Sequence, residues 1–276
     1  MVVSGNHQVR LSVAEVSMAL TAEGVQRDLL HEDSYRPFIT SAAPVATIDI
    51  TTNLLAPGDS LAQAGPRFTL RGHELFYQIH GGEGYLDAAS GRGWLQSSPD
   101  EGLARAILVN FIRGVYAVLL VRHGGFLFHS AGMIRSGRGY VFYGHSGSGK
   151  STVSRLSRQW AALLSDDLVA VRLHDGAWRV YGTPFWGDRG DAPFLDDSAP
   201  LRALFGLVKD GEVKIERLAA EFAVADVLSS VPVICAEPSL GARLLDLSAN
   251  LVSRVPCYHL HLTQNDSFWR LIDELA

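Results

Sequence analysis

Gly144-His145-Ser146-Gly147-Ser148-Gly149-Lys150-Ser151 sets two glycines four residues apart and follows the second with a lysine and a hydroxyl residue, which is the P-loop pattern. The glycines permit backbone angles that turn amide N–H groups inward as an anion nest, and a following helix adds its positive end. Lys150 supplies a point charge for β and γ phosphates, and the Ser151 hydroxyl can ligate a bridging magnesium ion. With Thr152, these residues form the expected nucleotide-binding set. The context fits, because Tyr140 to Tyr143 reads as a buried strand before the loop, and Val153, Leu156 and Trp160 recur at helical spacing after it. The bland alternative is a glycine-rich turn without a ligand, but that turn needs neither the lysine nor the hydroxyl in this register.

Moving upstream, Phe126 to Ile134 reads as a strand and Ser136 to Gly139 as a tight turn that leads into the strand before the loop. Ser98-Pro99-Asp100-Glu101 signals a helix start, with a capping side chain, a proline in the first turn and acids at the positive dipole end. Leu103, Ile107, Phe111 and Val115 then give a wide apolar helical face. Between Ala43 and Gln96 short apolar runs alternate with turn formers such as Pro57-Gly58-Asp59, which predicts hairpins. Residues 1 to 34 carry too weak a pattern to assign. The expected fold is α/β: a β-rich N-terminal region over 1–97, and a P-loop-bearing, mainly β core with flanking helices over 98–276.

Composition restricts the function classes. The chain of 276 residues is 47% hydrophobic and 19% charged, which suits a folded globular protein. A net charge of −5 argues against bulk nucleic acid as a partner, since no excess of cations is left to neutralise phosphates. Two cysteines, Cys235 and Cys257, suit a reducing compartment, so the cytoplasm is expected. The longest apolar stretch, within Ala104 to Val121, is interrupted by Asn110, Arg113 and Gly114, and no membrane span is expected.

Two further features bear on chemistry. Asp166 and Asp167 end an apolar run sixteen residues after Lys150. One carboxylate suits magnesium, and its neighbour suits a general base for an attacking hydroxyl. A solvated, Asp-capped turn is the plainer explanation. His129 sits in the strand expected beside the P-loop strand, where it could orient a carboxylate, touch metal or bind phosphate. A lone strand histidine is more often structural.

Together, His129, the loop Gly144 to Ser151 and the pair Asp166-Asp167 resemble the core of the bacterial HPr kinase/phosphorylase family in order, spacing and residue type. The resemblance covers roughly residues 125 to 270. It implies the fold shared with ATP-dependent phosphoenolpyruvate carboxykinase and an activity that phosphorylates a serine of a protein or peptide with ATP and Mg2+. It gives Asp166 the acid/base role, and Ser151, Asp167 and His129 the metal and phosphate environment. Gly182-Thr183-Pro184-Phe185-Trp186-Gly187, Val255-Pro256-Cys257-Tyr258 and Ser267-Phe268-Trp269 resemble a divergent branch of HPr-kinase-related proteins. Thr152 stands where the regulator commonly has glutamate, and the Glu-Val-Arg-Gly signature linked to phosphorolysis is absent after Asp167. Phosphorylase activity and HPr as substrate are therefore not implied. Family members favour oligomers, which makes a homo-oligomer an expectation.

Some signals are weaker. Arg189, in Asp188-Arg189-Gly190-Asp191, could reach a γ phosphate, although a surface arginine is commoner. Cys257, His259 and His261 alternate and, with Cys235, could hold zinc; an ordinary mixed strand face explains them more simply. Lys209 to Arg217 alternates charges and reads as a solvated face. The acceptor remains a serine of a protein or peptide, or a small-molecule hydroxyl. A nucleotide hydrolase and a non-catalytic nucleotide-sensing module are the rival readings.

Overall fold

The structure, a computed structural model, describes residues 7–52, 65–187, 193–232, 237–262 and 266–275. Among these it is a mixed α/β chain with two sheets and six α-helices. It divides into two compact units, Met1–Leu119 with Val233–Leu240, and Leu120–Pro232 with Gly241–Ala276.

In the first unit, β1 (His7–Val13) and β2 (Val16–Ala22) form a hairpin, followed by α1 (Gly24–Leu30) and a short 3-10 turn, Arg36–Phe38. Five strands complete the sheet: β3 (Ala46–Thr52), β4 (Arg67–Arg71), β5 (Glu74–Ile79), β6 (Gly82–Asp87) and β7 (Arg92–Ser97). Their spatial order is β1-β2-β3-β7-β6-β5-β4; β3 runs parallel to both its neighbours and all other pairs are antiparallel.

Helix α2 (Glu101–Arg122) starts at Asp100, whose Oδ1 accepts the Leu103 N–H at 2.9 Å. Asp100 is thus the cap, and Pro99 stands before it rather than inside the first turn. The apolar face packs on the sheet: the Tyr77 hydroxyl donates to the Ile107 carbonyl at 3.1 Å, and the Tyr77 and Phe111 rings lie 5.5 Å apart. By length and composition α2 could cross a membrane, but 72% of its apolar window is buried within the structure, as in the core helix of a folded protein. Its buried Tyr116 hydroxyl donates to the Leu11 carbonyl at 2.8 Å. Tyr116→Phe should therefore lower unfolding stability by about 1 kcal/mol, read as a smaller denaturant midpoint with an unchanged slope.

The second unit opens with β8 (Gly125–Arg135) and β9 (Arg138–Tyr143), antiparallel partners, then α3 (Lys150–Ser157). It continues through β10 (Ala162–Ser165), β11 (Leu168–His174), β12 (Ala177–Tyr181), β13 (Ser198–Val208) and β14 (Lys214–Arg217). Helices α4 (Ala220–Ser229) and α5 (Pro238–Arg254), strand β15 (Cys257–His261) and α6 (Phe268–Glu274) follow. The main path is β10-β8-β11-β12-β13-β15-β14, and β9 pairs antiparallel with β8 and parallel with β13.

The sheet's core explains why Tyr140 to Tyr143 reads as buried. Phe142 stacks on Phe205 of β13 with centroids 5.2 Å apart, and Trp269 of α6 meets it edge-on at 5.9 Å. Helix α3 is shorter than its apolar spacing suggests. It ends at Ser157, whose Oγ accepts the Trp269 indole N–H at 3.0 Å. Trp160 lies beyond the helix, 48% exposed, with its indole N–H on Asp266 Oδ2 at 2.8 Å.

Candidate functional site

Strand β9 ends at Tyr143 and delivers the chain to residues 144–149, from which α3 begins at Lys150. Gly144, Gly147 and Gly149 have φ of 152°, 79° and 116°, values that L side chains rarely adopt. A Cβ on Gly144 would also stand 2.7 Å from Ser148 Oγ, so the loop closes on itself only with glycine there. Ser148 is buried, and its Oγ has no hydrogen-bond partner. That orphan hydroxyl inside a glycine loop at a helix start is the kind of group an oxyanion satisfies.

Lys150 folds back over the loop, its ammonium donating to the Gly144 carbonyl at 2.7 Å and to the His145 carbonyl at 3.3 Å. The side chain is 9% exposed, and burial lowers its pKa while the Asp167 carboxylate acts in the opposite direction. A buried ammonium held by two carbonyl oxygens of the loop is poised for a strong anion, which would offset its desolvation.

The two adjacent acids are held by the turn between β10 and β11. Ser165 Oγ donates to the Phe185 carbonyl at 2.6 Å and accepts the N–H groups of Asp167 at 3.1 Å and Leu168 at 3.2 Å. Asp166 is 5% exposed, and its Oδ1 accepts the Gly187 N–H at 2.9 Å. Asp167 faces His129 of β8, with Oδ1 3.4 Å from Nδ1. The backbone N–H of Ser130 donates to the Asp167 carbonyl at 2.9 Å, which ties β8 to this turn.

His129, Lys150, Ser151, Thr152, Asp166 and Asp167 therefore line one cleft of 300 Å3, together with Ser146, Gly147, Gly149 and Gly187. A hollow of 150 Å3 shares Ser151, Thr152 and Asp166 and adds Arg155, Arg158 and Trp186. On its other side, a larger cleft of 500 Å3 shares His129 and Ser146 and includes Gly144 and His145. Arg189 and Cys235 lie outside the described residues. Among the described residues no group of three or more His, Cys, Asp or Glu side chains could hold a metal ion, so the alternation of Cys257, His259 and His261 makes no zinc centre there. Cys257 is a buried free thiol, pushed up to about 12 by burial and the Asp226 charge. His261 instead sits between Asp210, with Nδ1 2.5 Å from Oδ2, and Glu216, with Nε2 3.2 Å from Oε2.

Lys209 also lines the 300 Å3 cleft, which the sequence did not reveal. It follows β13, the parallel partner of β9, and its ammonium donates to the Gly147 carbonyl at 2.6 Å. The alternating charges from Lys209 to Arg217 are thus only partly a solvated face: their first member lies on the glycine loop, and Lys214 to Arg217 form the edge strand β14. The usable signal was position, since Lys209 directly follows an apolar strand.

A family model described as SynChlorMet cassette protein ScmC matches residues 96–276. The chain belongs to that family. The region matched by the ScmC model includes His129, the glycine loop, both acids and Lys209. No curated protein matches the sequence. Among solved structures, the Hpr(Ser) kinase/phosphatase from Coxiella burnetii is similar, at 11% identity over 54% of this chain and 87% of the other, with a TM-score of 0.31. A likeness that loose fixes neither activity nor substrate.

Proposed function

We propose that this ScmC-family protein is a phosphotransferase with an HPr-kinase-like core, moving the γ phosphate of a Mg-nucleoside triphosphate, ATP first among them, to a hydroxyl. The observation that carries the reading is the meeting, in one cleft, of a glycine loop at a helix start, a buried lysine and two fixed carboxylates. Residues 144 to 152 would cradle the phosphates through backbone N–H groups and the Ser148 and Thr152 hydroxyls. Magnesium, held by Ser151 and Asp167, would supply charge neutralisation on the β and γ phosphates.

Lys150 places its charge where the bridging bond breaks, and Lys209 adds a second cation at the loop. Asp166 takes the proton of the attacking hydroxyl. The oxygen–γ-phosphorus bond forms as the bond to the β phosphate breaks, and the nucleoside diphosphate leaves. His129 orients Asp167. A serine of a protein or peptide is the acceptor that the sequence resemblance favours, and a small hydroxyl compound is the other candidate; a cytoplasmic setting suits either.

The test is transfer of labelled γ phosphate from ATP to proteins, peptides and metabolites of a lysate, with and without magnesium. A labelled acceptor that vanishes on chelation is the expected result. Inorganic phosphate as the sole product would favour a hydrolase, and nucleotide binding without turnover would favour a sensing module.

A further inference from the structure

The 500 Å3 cleft adjoins the phosphate cleft but is chemically different. Its floor is a row across three parallel strands: Tyr143 of β9, Gly206 of β13 and His259 of β15 stand side by side in register. Glycine in the middle lets the two rings close in, because a Cβ there would lie 3.2 Å from the His259 ring and 3.3 Å from the Tyr143 ring, and both would have to give by a few tenths of an ångström. Asp226 of α4 reaches the same floor, its Oδ2 3.6 Å from His259 Nε2, beyond hydrogen-bond range.

Two features point to a ligand. The Tyr143 side chain is 2% exposed and lines the cleft, and its hydroxyl lies close enough to the Asp226 carboxylate to interact with it but makes no hydrogen bond of good geometry. Burial first, then the Asp226 and Cys257 charges and a poorly aligned hydrogen bond toward Asp226, keep that phenol protonated and hence a donor. Asp226 is also the cleft's one carboxylate among the described residues, and no lysine or arginine lines it, whereas Lys150 and Lys209 line the phosphate cleft. In the phosphate cleft Asp166 and Asp167 balance those two ammonium groups, whereas the Asp226 carboxylate faces no lysine or arginine in its own cleft and favours a cation there.

Resting on the phosphotransferase reading, we propose that this cleft binds the phosphate acceptor, and that the acceptor is a small hydroxyl compound carrying an ammonium group. The ammonium sits against Asp226, an oxygen beside it accepts from Tyr143, and the hydroxyl points to the shared rim at His129 and Ser146. A concave pocket of this volume suits a small molecule, while a folded protein partner needs a broad surface.

The probe is ethanolamine, compared with N-acetylethanolamine, which keeps the hydroxyl and loses the charge. Binding to wild type, Asp226→Asn and Tyr143→Phe is followed by ligand-observed NMR, with Mg-ATP affinity measured in the same samples. Ethanolamine should bind more tightly than its acetylated form, and Asp226→Asn should weaken ethanolamine at least about tenfold while leaving the acetylated probe unchanged. Tyr143→Phe should weaken both. Equal affinity for the two probes, or an ethanolamine affinity unmoved by Asp226→Asn, overturns the proposal even if Mg-ATP binds. Ethanolamine binding without Mg-ATP binding would overturn the phosphotransferase reading and with it the cleft's role as acceptor site.

Discussion

Asp166→Asn should reduce phosphate transfer by about 10²- to 10⁴-fold while Mg-nucleotide still binds, because the substitution removes a proton acceptor and keeps the side chain's shape. The geometry makes it a clean test. Asp166 Oδ1 accepts the Gly187 N–H at 2.9 Å, and the amide oxygen of asparagine can keep that bond. The side chain is 5% exposed, so a larger or apolar replacement would disturb packing and confuse the outcome. Neutralising one of two adjacent carboxylates should also relieve repulsion of the incoming phosphates, so nucleotide affinity should hold or improve. Initial rates and nucleotide Kd, measured together, separate the possibilities. A variant that transfers phosphate within a few-fold of wild type would remove Asp166 as the base. Intact function of the whole protein despite lost transfer would favour the sensing module.

The glycine loop and its flanking strand and helix were legible because their signals are local. Glycine spacing, one lysine register and a short apolar run fall within about fifteen residues, and backbone sterics leave few alternatives. Asp166 and Asp167 were legible for the same reason, as two acids ending a strand-like run. The N-terminal hairpin was not. Its turn residues, Ala14 and Glu15, take φ of 50° and 62°, angles for which Gly, Asn or Asp is the usual sign. Without such a residue, β1 and β2 merge into one weak pattern.

The larger cleft was hidden by a different cause. Tyr143, Gly206 and His259 are far apart in sequence and meet only through the parallel pairing of β9, β13 and β15. Parallel neighbours leave no hairpin signal, so nothing in the chain announces that three strand positions share a row. Lys209 was misread for a related reason: charge alternation describes a surface, but the end of a strand beside the loop strand decides which surface. Trp160 shows the reverse error, where helical spacing continues past a helix that Ser157 ends.

Lys150→Met should abolish transfer, by at least about 10³-fold, without destabilising the folded chain. Lys150 is the cation placed to meet the charge that develops as the γ phosphate departs, and methionine nearly matches its volume while carrying no charge. Affinity for Mg-nucleotide should fall less than the rate does, because the backbone nest and the Lys209 ammonium on the Gly147 carbonyl remain. Stability should move the other way. Burial lowers the Lys150 pKa, so below that value the free protein carries an ammonium held less favourably than in water. The penalty is fully present below the folded pKa and lifts as pH rises through it toward 10.5, the unfolded value. Lys150→Met should thus equal or exceed wild type in denaturant midpoint near neutral pH, and the gain should shrink as pH approaches 10.5. Loss of transfer together with a lower midpoint would mean that the two carbonyl contacts of Lys150 shape the loop, and the rate loss would say nothing about chemistry. Unchanged transfer and unchanged nucleotide affinity would leave the glycine loop without a phosphate, and the phosphotransferase reading would fall with it.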